Sequence, residues 1–188
     1  MAFLGAFRRK PHERAGFALY AAAVAAARDP WFYTALGVPD TLDGRFDLVG
    51  LHAALLIHRL QGDAAPGPEL AQAVFDAMFS DMDQNLREIG VGDLGVGKRV
   101  KVMWEAFHGR ARAYATALDA GDQAALAAAL ARNVWRGVPG DGPGEGGSGE
   151  DGAARTLAAY ALRQFEALRR QGLGDLAAGR AAFEEAFA

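Results

Sequence analysis

Apolar residues recur along this chain at the three-and-four spacing of amphipathic helices. From Pro11 to Arg28 the pattern is alanine-rich, with Gly16, Tyr20, Val24 and Ala27 along one side. Small residues there let a neighbouring helix approach closely. Asp29-Pro30 ends the run. The aromatic trio Trp31, Phe32 and Tyr33 that follows is expected to plug the core between helices, with a ligand-stacking site as the alternative. Turn chemistry at Pro39, Asp43 and Gly44 precedes a helix that starts around Phe46 and runs to Leu60. Phe46, Val49, Ala53, Leu56, Ile57 and Leu60 share one face of it. Leu48, Leu51 and Leu55 line a second face, beside His52 and Arg59. A helix apolar on two sides is either central to a bundle or presents one stripe to a partner.

After a loop at Gln61–Pro68, the stretch Glu69 to Ile89 carries Leu70, Val74, Phe75, Met78, Phe79, Met82, Leu86 and Ile89 over a wide apolar sector. That is broad enough for two neighbouring helices. The glycine-rich turn Gly90–Gly97 leads into the cleanest periodic signal of the chain: Val96, Val100, Met103, Phe107, Ala111, Tyr114 and Leu118 stack on one face. Lys98, Lys101, Glu105, His108 and Arg112 form a separate polar stripe, read as a solvated face or a docking surface. A further helix, capped by Asp122, puts Leu126, Leu130 and Val134 inside. Gly137–Gly152, half glycine and acidic at Asp141, Glu145, Glu150 and Asp151, is expected to be a flexible linker. Beyond it, Ala153–Arg170 and Asp175–Phe187 are read as helices that return to cover their apolar stripe on the bundle. The predicted fold is therefore all-α: a compact multi-helix bundle with a Gly-rich linker before a C-terminal helical pair. Its parts are an N-terminal tail (1–10), a helical core (11–136), the linker (137–152) and C-terminal helices (153–188) packing back on the core.

Composition narrows the function. The net charge of -3 over 188 residues lacks the cationic excess that nucleic-acid binding requires. The absence of cysteine removes disulfides, thiolate nucleophiles and cysteine metal sites, and is compatible with a reducing, cytoplasmic location. Arg28 and Asp29 end the most apolar N-terminal stretch well short of a membrane span. In the tail, Phe3, Leu4 and Phe7 precede Arg8, Arg9 and Lys10, the reverse of a secretory signal. The tail is read as disordered or as a peripheral toe-hold on the inner membrane.

Two apparent catalytic motifs fail on inspection. Asp81, Asp83 and Asn85 imitate the first ligands of a calcium loop, but Leu86 and Gly92 stand where glycine and glutamate belong, and on a helix Asp81 and Asp83 diverge. Gly92 to Lys98 spells a phosphate loop up to Arg99, which stands where a hydroxyl should meet magnesium, and no strand precedes it. His52 and His58 diverge on their helix and are expected to be structural. No catalytic residue, metal or cofactor is expected.

Two blocks, VPDTLDGRFDLVGLHAALLIHRL and FSDMDQNLREIGVGDLGVGKRVKVMWEAFHGRARAY, resemble the ubiquinol-cytochrome c chaperone family, with weaker agreement from about His12 to Trp135. The resemblance implies an all-helical, non-enzymatic assembly chaperone of the bc1 complex that binds newly made cytochrome b. Its eukaryotic members act beside a small second subunit. The alanine and glycine bias, with no presequence-like extension, suits a bacterial version on the cytoplasmic face of the inner membrane. By matching position, it brings Asp40, Asp43, Arg45, His52, Arg59, Asp81, Asp83, Asn85, Arg87, Asp93, Lys98, Lys101 and Arg110 into the family pattern. His108 departs from it, since tyrosine is common there. The expected partner-binding surface comprises an apolar groove near Leu48, Leu51 and Leu55 and the charged stretch Asp81 to Lys101, with Arg45, His52, Arg59 and Arg110 from the same pattern. The alternatives are a helical adaptor for another membrane complex and a nucleotide-binding protein using the Gly92–Lys98 loop.

Overall fold

The computed structural model describes residues 12–135 and 148–186. Among these, the chain forms α1 (Glu13–Ala27), α2 (Trp31–Thr34), α3 (Leu42–Gln61), α4 (Gly67–Glu88), α5 (Asp93–Ala120), α6 (Gln123–Val134), α7 (Ser148–Arg170) and α8 (Leu173–Ala177), and no strand. The protein is all-α. The expected tail at 1–10, residues 11 and 136 at the two ends of the expected core, and residues 137–147 of the expected linker lie outside the described residues, and α7 begins at Ser148, inside the stretch read as linker.

The bundle is built round α3, which touches α1, α4, α5, α6 and α7. Leu48, Leu51, Leu55, Leu56 and Leu60 are completely buried there. This overturns the expectation of a client groove at Leu48, Leu51 and Leu55. Both apolar faces of α3 are covered by neighbouring helices, so the leucine stripe is core. The helix also begins earlier than expected. The Thr41 hydroxyl accepts from the Gly44 amide at 3.1 Å, a cap that places Gly44 inside the first turn. Only glycine fits there, since a Cβ would stand 2.0 Å from the Pro39 carbonyl oxygen. A second close approach joins α1 to α4, where a Cβ on Gly16 would lie 2.6 Å from that of Ala73. The Asp122 carboxylate caps α6 by accepting from the Ala125 amide at 2.9 Å.

The C-terminal reading needs correction. The last helix is the short α8, and residues 180–185 are not helical. Gly179 takes a φ of 79°, which turns the chain out of helical geometry. The Arg180 amide still bonds the Asp175 carbonyl, but beyond it the backbone of Ala182 and Glu184 bonds to the side chains of Gln171, just past the end of α7, and of Gln164 within it.

His52 sits at the centre of the bundle with no exposed surface, among the rings of Phe32, Tyr160 and Phe183. Its Nδ1 lies 2.8 Å from the Leu48 carbonyl oxygen and must carry the proton, so Nε2 accepts from the Tyr160 hydroxyl at 2.8 Å. Burial pushes the imidazole pKa down to about 4. The unfolded chain gains its proton near pH ~6.5 and the folded chain only near the lower value, so the native state is disfavoured as pH falls between the two. The stability fully present above pH ~6.5 should decline towards pH ~4 by on the order of 3 kcal/mol. Urea unfolding at pH ~7 and ~5 tests this. The drop should shrink in His52→Gln; an unchanged drop would assign it to other groups.

Candidate functional site

 Where the N-terminal end of α3 meets the C-terminal end of α4 and the first half of α5, the bundle leaves an open groove of about 780 Å³. Phe46, Met82, Leu86, Met103 and Ala106 line the groove. On its rim stand Leu42, Ile89 and Val102, which are 59%, 58% and 57% exposed. Three aliphatic side chains left in water around one concavity are a recognised mark of a binding surface. A second cleft of about 620 Å³ shares Leu42, Phe46, Met82 and Asn85 with the first and continues towards α1 and α2 past Tyr20, Tyr33 and Arg45.

The polar groups differ in what they already hold. Arg110 on α5 pairs with the buried Asp47 on α3, and its guanidinium lies 5.9 Å from the Phe46 ring centre. This pair ties α5 to α3 beside the groove. On α4 the Asp81 carboxylate accepts from the Tyr20 hydroxyl at 2.7 Å, and burial, followed by that carboxylate, pushes the phenol pKa up. Arg87 bonds Asp83 at 2.7 Å and also Asp93 at the start of α5. Arg45 bonds Asp40 at 2.6 Å, which holds the Asp40 carboxyl below its ordinary range. Lys101 lies 3.9 Å from Glu105. Lys98 and Arg99 line the groove and have no ion pair among the described residues. Gly92 caps α5, and the segment from Asp93 onwards is helix, so the stretch that spelled a phosphate loop does not form one. No group of three or more metal-ligating side chains occurs among the described residues.

A profile of the ubiquinol-cytochrome C chaperone family matches residues 34–183. The chain belongs to this family. It is 25% identical over 103 residues to the ubiquinol-cytochrome-c reductase complex assembly factor 1 of Xenopus laevis, a match covering 55% of this chain and 51% of that protein. The chain thus spans about half the length of that relative. A crystal structure of the Cbp3 homolog from Brucella abortus superposes with a TM-score of 0.78 at 40% identity, covering 94% of this chain and 92% of the other.

For this member of the chaperone family, the structure sorts the expected site residues by position. Leu48, Leu51, His52 and Leu55 are interior. Arg59 is 10% exposed and donates to the carbonyls of Leu168 and Gln171, both at 3.1 Å, so it joins α3 to the end of α7. Arg110 and Asp81 are engaged with Asp47 and Tyr20. Asn85 and Lys98 line the groove, and Arg45 the adjoining cleft. Arg87, Asp93 and Lys101 lie on exposed helix surface, with Asp83 half-buried beside Arg87. Sequence reasoning missed the rim residues Leu42, Ile89 and Val102, and Arg99 beside them. Val102 gave the available signal. At ~100° per residue it falls well off the Val96–Leu118 stripe, an apolar residue with no core position to fill.

Proposed function

We propose that this chain is a non-enzymatic assembly chaperone of the bc1 complex that holds newly made cytochrome b at the cytoplasmic face of the inner membrane. Family membership supports the class of function. The observation that carries the site is the convergence of Leu42, Ile89 and Val102 on one groove. Unassembled membrane-protein segments expose apolar faces, and a concave apolar surface with a polar rim shields such a face from water. Lys98, Arg99 and Asn85 at the rim, with the charged surface from Asp81 to Lys101, contact polar loops of the client. Among the described residues no helix is long and apolar enough to cross a membrane, so contact with the bilayer is peripheral in this reading.

A photo-crosslinking side chain at Val102 should capture cytochrome b in cells, while the same group at exposed Arg169 on α7 should not. Equal capture at both positions, or capture at Arg169 alone, would move the client away from the groove.

A further inference from the structure

The stretch after Gly179 is held in an unusual way. The Gln171 amide donates to the Ala182 carbonyl at 2.6 Å and accepts from the Ala182 amide at 2.9 Å. Two helical turns earlier, the Gln164 amide donates to the Glu184 carbonyl at 2.9 Å and accepts from the Glu184 amide at 2.8 Å. Each glutamine thus takes both main-chain groups of one residue, as a neighbouring strand would, and the two residues read are two apart, the repeat of an extended chain. Between them, the Phe183 ring lies 5.3 Å from the His52 ring. The Glu184 carboxylate meets Arg170 at 3.0 Å and Arg163 at 3.5 Å. Arg163 also donates to the carbonyls of Glu185 and Ala186.

Main-chain recognition of this kind does not depend on the occupant's sequence, so selectivity rests on the ring pocket and the arginine pair. Gln164 is completely buried, and leaving its amide unpaired would be unfavourable, so the slot calls for an occupant. The present occupant lies beyond the α8 hinge at Gly179 and can leave without unwinding a helix. We propose that this slot on α7 is a peptide-binding site for an extended segment carrying an aromatic residue followed by a carboxylate, and that residues 181–186 are its exchangeable resident. The proposal is independent of the groove between α3, α4 and α5.

The test uses the full chain and a labelled peptide with the sequence RAAFEEA, followed by fluorescence anisotropy. A tethered occupant competes at an effective concentration of about millimolar, so the unmodified chain should bind the peptide weakly. Disabling the resident with Phe183→Ala and Glu184→Ala should strengthen peptide binding at least ~10²-fold. Adding Gln164→Leu should abolish it, as should replacing the peptide's phenylalanine by alanine. Absence of binding to the disabled chain at native helicity, or binding indifferent to Gln164→Leu, would overturn the proposal. Should the disabled chain fail to fold, hydrogen exchange on the unmodified protein decides. An exchangeable strap requires the Ala182 and Glu184 amides to exchange at least ~10²-fold faster than the Leu168 amide of α7, and equal rates would overturn it.

Discussion

Replacing Arg110 by methionine should destabilise the protein by about 3 kcal/mol, because it strips a buried carboxylate of its cation. The Asp47 side chain is 2% exposed and that of Arg110 13% exposed. Breaking such a pair from one side typically costs about 3–5 kcal/mol, and the residual exposure of Arg110 argues for the lower end. The converse distinguishes this from simple loss of packing. In the double variant Asp47→Leu with Arg110→Met, two apolar side chains of similar volume replace the pair, and most of the stability should return. Urea unfolding of the two single variants and the double variant measures the coupling directly. A double variant no more stable than Arg110→Met would show that the pair is not what holds α5 to α3. The result also bears on function, since the sequence expectation put Arg110 on the partner surface, whereas its pairing with Asp47 ties α5 to α3.

The second large effect is on capture. Ile89→Asp with Val102→Asp should lower cytochrome b capture by more than ~10²-fold, since buried anchors at an interface are commonly worth about 2 kcal/mol or more each. Both side chains are more than half exposed, so stability should change by less than about 1 kcal/mol. Leu48→Asp is the contrasting case. It places a charge where the structure has no exposed surface and should unfold the chain, so any loss of capture would carry no information about the site. Capture that survives Ile89→Asp with Val102→Asp would remove the groove from the account.

Helical class was legible because the apolar spacing of α4, α5 and α6 follows the helical repeat, and the Asp122 cap was readable from its place before an alanine-rich run. Three features were not legible, each for a tertiary reason. The two apolar faces of α3 are compatible with both burial and docking until α7 is seen to pack against the side that carries His52 and Arg59. The alanine-rich stretch after Asp175 has good helix formers, but Gln164 of α7 and Gln171 just beyond it satisfy its backbone from outside, which overrides local propensity. The groove depends on where three helix ends meet. Leu42 stood in a segment read as turn, and Ile89 was assigned to the core, yet it ends beyond α4 and stays in water.

The most direct test of the central claim is affinity capture of the tagged chain from its own membranes, with mass-spectrometric identification of what accompanies it and bc1 activity measured in a deletion strain. The account predicts cytochrome b in the captured material and loss of bc1 activity on deletion. Intact bc1 activity with no cytochrome b captured would contradict it.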